Sequence, residues 1–334
     1  MNASLEMVSV GARAPFSLTC VDRVFVSKDL PEEHLGRLEG YDVGIWRGDV
    51  PVPRERLIDG VCHARGLLCM LTDRIDADLL VQAPDLVVIS QLAVGVDNID
   101  LGACAARGVV VGHTPDVLTE TVADSAFALL ASIVRRLPEG EREVRSGNWG
   151  PWEPFHLAGG DLHGTTLGIV GMGRIGEAIA RRAAGFEMEL VYASPSPKEV
   201  AAEHLSLGQL LEQSDHVVLC TPLDDSTRHL ISHEQLALMK PTAYLVNMAR
   251  GPVIDTGALV AALAEGKLAG AALDVTDPEP LPPDHPLLDL ENCLVVPHIA
   301  SASLRTRHAM ASRAVDNLLA GLRGKPLPAP YPLG

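Results

Sequence analysis

Short apolar runs alternate with amphipathic stretches along most of the chain. That is the pattern of an α/β fold built on parallel sheets. In the first part, Val24–Val26, Val43–Trp46, Leu67–Met70, Leu86–Ser90 and Val109–Val111 read as strands. Helices are predicted between them, among them Asp76–Gln82 and Asp100–Arg107. A long helical segment follows from about Thr119 to Arg136, without Gly or Pro, and Thr119 is its predicted N-cap. In the second part, strands are predicted to begin near Leu167, Glu189, His216, Ala243, Ala271 and Leu294. Their intervals fit one strand, one helix and two turns, the repeat of a doubly wound nucleotide-binding domain. A last amphipathic helix, about Ser303–Leu322, carries Met310, Ala314, Val315, Leu318 and Leu322 on one face, and a Pro-rich tail closes the chain. No Gly/Ser linker divides the two parts. The long helix and the last helix are therefore the expected crossings between two domains, with a cleft between them.

Composition narrows the function classes. The 334 residues are 47% hydrophobic and 21% charged, a globular balance with material for a sizeable core. The net charge of −16 argues against a nucleic-acid partner, which needs a basic footprint. An acidic protein with an anionic substrate must concentrate positive potential locally, so single Arg residues near a site gain weight. Cys20, Cys62, Cys69, Cys104, Cys220 and Cys293 form no Cys-x-x-Cys pair, so no metal site is expected, and their scatter suits a reducing cytoplasm. No apolar run reaches the roughly 18 residues of a membrane span. Residues 1–20 read as an irregular leader, not a targeting peptide.

Thr166–Val170 reads as a strand, Gly171-Met-Gly173-Arg174-Ile175-Gly176 follows at once, and Glu177–Ala184 reads as a helix. In that setting each glycine has a task. Gly171 makes the turn, Gly173 lets a pyrophosphate approach the backbone, and Gly176 lets helix pack on strand. The helix N-terminus supplies charge for the phosphate. About twenty residues on, such sites place an Asp or Glu on the ribose 2′-hydroxyl. Here Ala193 or Ser194 stands there, so a 2′-phosphate meets no repelling carboxylate. NADP is the expected cofactor, with NAD possible. Lys198 is the nearest downstream cation, either a partner for that phosphate or a solvated surface charge.

Ligands of such folds sit beyond the carboxyl ends of the strands. Three side chains of the right chemistry are predicted there. Arg250 follows the strand Ala243–Asn247, Glu279 lies shortly past Ala271–Val275, and His298 follows Leu294–Pro297. Reducing a ketone requires a proton for the developing alkoxide, and His is the usual donor near neutral pH. A neighbouring carboxylate favours its protonated form. An Arg fork pairs with a substrate carboxylate and polarises the carbonyl. Singly, each has a plain alternative: Arg250 as a helix cap, Asp277–Pro280 as a turn, His298 as a satisfied loop histidine. Their coincidence on one edge favours the chemical reading.

Val94-Gly-Val-Asp97, Thr114–Thr119, Leu167–Gly176, Asn247-Met-Ala-Arg-Gly251, Leu273–Leu281 and Pro297-His-Ile-Ala-Ser301 together resemble the D-isomer-specific 2-hydroxyacid dehydrogenases, along nearly all of residues 21–325. The similarity is greatest to the glyoxylate reductase/hydroxypyruvate reductase branch. The resemblance implies a cytoplasmic homodimer that reduces a small 2-oxo acid to the D-2-hydroxy acid with NAD(P)H. It implies a flavodoxin-like substrate domain of residues 21–113 and 304–334, and a Rossmann domain of residues 114–303. Arg250 would bind substrate, His298 would be the acid/base, and Glu279 would tune it. The backbone amides of Val94 and Gly95 would hold the substrate carboxylate, with Ser301 near the substrate. Thr121, Thr221 and Pro222 would line the cofactor groove, and Asp274 would contact the nicotinamide amide. Trp152 matches a dimer-loop tryptophan that reaches the neighbouring subunit's site. Phosphonate dehydrogenases of the family carry Lys where this chain has Val94, which argues against phosphite as substrate. Two other readings stay open: a dehydrogenase for bulkier 2-oxo acids, and a nucleotide-sensing corepressor on the same fold.

Overall fold

The computed structural model describes residues 21–333, so the expected leader and its Cys20 lie outside the described residues. The chain divides into two compact units. One runs to Leu118 and resumes at Ser303; the other is Thr119–Ala302.

The first unit holds β1 (Arg23–Val26), β2 (Asp42–Ile45), β3 (Gly66–Cys69), β4 (Val88–Gln91) and β5 (Val110–Gly112). All neighbours pair parallel, in the order β2-β1-β3-β4-β5. That is the doubly wound order of flavodoxin-like sheets. Parallel strands are covered on both faces, which is why they read as unbroken apolar runs. One face packs Phe25, Leu67 and Ile89 against Leu57, Leu79 and Leu80. The other packs Val24, Val26, Leu68 and Val88 against the helix Leu304–Leu322. The predicted stripe on that helix, Met310, Ala314, Val315, Leu318 and Leu322, is buried throughout. Asp76, Asp100 and Ser303 prove to be N-caps, each accepting a backbone N–H, so these helices begin one residue later than predicted.

The Pro-rich tail is part of this unit. Buried Asn317 donates Nδ2 to the His113 carbonyl (2.9 Å) and accepts the Ala329 amide (2.9 Å). The Tyr331 amide then donates to the Val111 carbonyl (2.7 Å).

The second unit holds β6 (Thr166–Val170), β7 (Glu189–Ala193), β8 (Glu203–His204), β9 (His216–Leu219), β10 (Tyr244–Asn247), β11 (Gly270–Leu273) and β12 (Cys293–Val295). All pairs are again parallel, in the order β12-β11-β10-β9-β6-β7-β8. The direction of winding reverses between β6 and β9. The six predicted strands are present. The seventh, β8, escaped prediction because it is an exposed two-residue edge pair with no apolar signature.

Two further helices differ from the sequence reading at their boundaries. Thr119 is not a cap but the first helical residue, because a turn with Asp116 at φ +70° delivers the chain directly into the helix Thr119–Val134. That helix stops short of Arg136. Pro138 cannot donate a helix hydrogen bond, and Arg136, at φ +52°, turns forward to pair with Glu139 before a new helix, Leu137–Ser146. The glycine-loop helix begins three residues early, at Arg174, and ends at Ala183. Among the described residues no helix is long and apolar enough to cross a membrane.

Candidate active site

Parallel pairing puts the carboxyl ends of β6, β7, β9, β10, β11 and β12 on one edge of the second sheet. In that strand order, the glycine loop, Ala193–Ser194, Cys220–Pro222, Met248–Arg250, Asp274 and Val296–His298 follow those ends.

The glycine loop has the space its pattern requires. Gly171 has φ +98°, and a Cβ there would stand 2.8 Å from the Thr221 amide nitrogen. At Gly176 a Cβ would stand 2.4 Å from the Gly171 carbonyl oxygen, so the helix Arg174–Ala183 crosses its strand at backbone contact. Gly173 has open space, nothing lying within 4 Å of a would-be Cβ, and it sits at the helix N-cap. An open backbone at a helix N-terminus beside a closed turn fits a pyrophosphate cradle. Arg174 is exposed at the head of the helix and Ile175 is half-buried behind it. Thr121 lies in the first turn of the helix Thr119–Val134. Pro222 is exposed, and its carbonyl accepts from Thr227 Oγ1 (2.8 Å).

At the end of β7 no carboxylate is present. The Gly171 amide donates to the Ala193 carbonyl (2.8 Å), tying this end to the glycine loop. Ser194 Oγ donates to the Ser196 carbonyl (2.6 Å), and His204 Nε2 donates to the Ser194 carbonyl (3.0 Å). The Lys198 backbone is held by the Tyr192 hydroxyl, while its ammonium is exposed without a partner among the described residues.

His298 and Glu279 meet directly, with Nδ1 2.7 Å from Oε1. Burial pushes the Glu279 carboxyl up, but the His298 hydrogen bond and charge, the Thr276 amide and the Arg250 charge outweigh it and hold the group below its ordinary range. Because the folded-state value is depressed, this stabilisation is present above the ordinary carboxylate range and is lost as pH falls through the folded value. Glu279 Oε2 also accepts the Thr276 amide (3.3 Å).

The His298 backbone is constrained from below. It has φ +53°, an uncommon conformation for a side-chain-bearing residue, and its amide donates to the Asp274 carbonyl (2.9 Å). The Asp274 carboxylate, nearly inaccessible, accepts the amides of Ile299 (2.7 Å) and Ala300 (3.0 Å). Burial pushes this carboxyl above its usual range, against those amides and the His298 charge. The sequence pointed to Asp274 as a ligand contact; its visible work is to hold the loop of His298 and half-buried Ser301.

Arg250 extends from the end of β10. Asn247, buried at its base, donates Nδ2 to the Arg250 carbonyl (3.0 Å) and accepts the Ala249 amide (3.0 Å). Arg250 Nη1 donates to the Ala249 carbonyl (2.9 Å). Asn247 stood inside a recognised stretch, but its positioning role emerges only with the turn geometry.

In the first unit, Val94 and Gly95 follow β4. The Val94 carbonyl meets His113 Nδ1 (2.8 Å) and the Gly95 carbonyl accepts Gln91 Nε2 (3.3 Å). Among the described residues neither amide has an acceptor, so both stand as donors. Gln91, fully buried, anchors this loop through Asn98 Oδ1 (2.7 Å), and Asn98 donates to the Asp73 carbonyl (2.7 Å). Sequence reasoning passed over Gln91 and Asn98, since a buried amide pair leaves no periodic trace. Trp152 is 84% exposed, between Trp149 and Phe155, both also exposed.

The comparisons with known proteins agree with this frame. The profile of the D-isomer specific 2-hydroxyacid dehydrogenase NAD-binding domain matches residues 127–300. A glyoxylate reductase of Korarchaeum cryptofilum is 48% identical over 91% of this chain and 93% of its own length. The chain belongs to the D-isomer specific 2-hydroxyacid dehydrogenases. The human glyoxylate reductase/hydroxypyruvate reductase is 45% identical over 92% of this chain and 97% of its own. Among solved structures, a protein of Thermus thermophilus superposes with a TM-score of 0.89, at 49% identity over 93% of this chain and all of that one. The NADPH-dependent glyoxylate/hydroxypyruvate reductase of Sinorhizobium meliloti, in complex with NADP and malonate, gives 0.82 at 34% identity over 93% and 97%. As a member of this family the chain is an oxidoreductase that uses a nicotinamide cofactor.

Proposed function

We propose that this dehydrogenase reduces glyoxylate or hydroxypyruvate to the D-2-hydroxy acid, with NADPH preferred. The observation that carries the reading is the His298–Glu279 pair on the sheet edge that also bears Arg250 and the glycine cradle. Relatives named for these two substrates, at 45–48% identity, support it. The Thr119–Ala302 unit holds the dinucleotide on Gly171, Gly173, Arg174, Ile175 and Gly176, with Thr121, Thr221 and Pro222 along its groove. Bound reduced nicotinamide supplies the hydride for the substrate carbonyl carbon. Arg250 polarises the carbonyl and pairs with substrate charge. His298 gives the proton to the carbonyl oxygen, and Glu279 stabilises the protonated ring beforehand. Asp274 and Ser301 complete the loop around His298. The Val94 and Gly95 amides receive the substrate carboxylate. Steady-state kinetics with glyoxylate, hydroxypyruvate and phenylpyruvate, each with NADPH and NADH, test the reading. Higher kcat/KM on phenylpyruvate than on both small acids would overturn it.

The carboxylate beside His298 makes a pH prediction. Reduction needs the protonated ring, so kcat/KM for reduction should fall as pH rises. Glu279→Gln removes the negative charge, and the fall should begin at lower pH. Superimposable pH profiles for the two proteins would show that the pair is not coupled.

NADPH preference rests on the missing acid at Ala193–Ser194. An acid there accepts ribose hydroxyls and repels a 2′-phosphate. Ser194→Asp is expected to raise KM for NADPH more than for NADH. Lys198→Ala is expected to raise it for NADPH alone, since this exposed ammonium is the first cation downstream of β7 in the chain. A wild-type kcat/KM strongly favouring NADH would refute the preference.

We further propose a cytoplasmic homodimer. The exposed Trp149, Trp152 and Phe155 are large apolar side chains that a second subunit would cover, and the five described cysteines are free thiols. Light scattering that gives a monomer mass, or dimers that persist in Trp149→Ser/Phe155→Ser, would count against that interface.

A further inference from the structure

Away from the sheet edge, the first unit gathers three metal-ligating side chains that the proposed chemistry does not use. Glu33 and His34 sit on the short helix Glu32–Leu35, and His308 on the helix Leu304–Leu322. His34 Nε2 lies 3.0 Å from His308 Nδ1, and one oxygen, Glu33 Oε1, lies 3.3 Å from the first and 2.5 Å from the second.

The two imidazole protons alone serve this triangle poorly. Each facing nitrogen carries at most one hydrogen. If both carry one, both can point at the carboxylate, but two N–H groups then oppose each other across 3.0 Å. If only one does, a nitrogen lone pair faces either the carboxylate or no donor. A cation at the centre serves all three lone pairs at once. Zinc sits about 2.1 Å from nitrogen and oxygen donors, which sets tetrahedral donor separations of about 3.4 Å. The observed 3.3 Å edge is close to this, the 3.0 Å edge is somewhat shorter, and the 2.5 Å edge requires the exposed Glu33 to swing.

We propose that Glu33, His34 and His308 form a binding site for a divalent transition metal, with Zn2+ its best fit and a fourth position open to water. Two imidazoles and one carboxylate select Zn2+, Co2+ or Ni2+ over Mg2+ and Ca2+. His34 is 6% exposed, so its ring is held by the surrounding packing with Nε2 facing His308. The nearby positive charge, Arg37, is neutralised by Asp316 and also donates to Ser312 Oγ (3.0 Å). His308, Ser312 and Asp316 lie at i, i+4 and i+8, one stripe of the returning helix. The ion would fasten one end of that stripe to the start of the domain, joining segments 274 residues apart.

The test is titration of the chelator-stripped full chain with Zn2+ by calorimetry, and with Co2+ by visible absorption. One saturable ion per chain is expected, with the visible bands of tetrahedral Co2+, a Tm raised by Zn2+, and no response to Mg2+. His308→Ala should weaken Zn2+ at least about tenfold, the scale on which even supporting contacts act. Glu33→Gln, at an exposed position, should do the same without touching the core. No saturable binding, equal response to Mg2+, or Zn2+ affinity unchanged in both variants would overturn the site.

Discussion

Arg250→Lys should lower kcat/KM for glyoxylate by roughly 100-fold or more, the loss found when one preorganised donor to a developing charge is removed. The change keeps the positive charge, so what it removes is the planar fork. Arg250 stands where a fork is aimed, not where a charge merely floats. Its carbonyl is gripped by Asn247, and one arm of its guanidinium is spent on the Ala249 carbonyl (2.9 Å), which fixes the plane of the rest. A lysine ammonium has no such plane and more rotamers to freeze. The Arg250 charge also contributes to holding the Glu279 carboxyl below its ordinary range, and lysine preserves part of that. The pH profile should therefore move little while the rate collapses. A Lys variant within a few-fold of wild type would exclude the fork.

Residues whose environment repeats along the chain are legible in the sequence. Parallel strands covered on both faces are largely apolar, so β6, β9, β10 and β11 announce themselves, and the less buried β7 and β12 still carry apolar runs. The residues beyond their ends then fall on one edge by topology alone, which is how His298, Glu279 and Arg250 come together. What stayed hidden depends on single contacts. β8 is two exposed residues that pair with Val191 and Tyr192. Gln91 and Asn98 hold the Val94–Gly95 loop through amide contacts that carry no period. His34 and His308 could not be paired from sequence, since nothing local links a four-residue helix to a segment 274 residues away. The positive φ of His298 was equally invisible, because an ordinary residue type occupies it and the surrounding bonds to Asp274 impose it.

Gly251→Ala tests how far the site depends on backbone fit. A Cβ at Gly251 would lie 1.9 Å from the Thr276 carbonyl oxygen and 2.6 Å from the Asp277 amide nitrogen. Both are backbone atoms, so no side chain can swing aside and one of two segments must move. Gly251 directly follows Arg250, and Thr276 donates its amide to Glu279. A displacement on either side therefore reaches the proposed catalytic set. A misplacement of about 1 Å can cost about 100-fold in rate, and overpacking a filled site costs about 1–3 kcal/mol of stability. Gly251→Ala should show both losses, with a lower Tm and a reduced kcat. Gly173→Ala should behave differently, because nothing lies within 4 Å of its would-be Cβ and the chain there needs no positive φ. Its Tm without cofactor should match wild type, while the new methyl group occupies the approach to the pyrophosphate and raises KM for NADPH. If Gly251→Ala keeps wild-type kcat and Tm, the packing of the Arg250 turn against Thr276 does not govern the site. If Gly173→Ala binds NADPH as wild type does, the open backbone there is not the cradle.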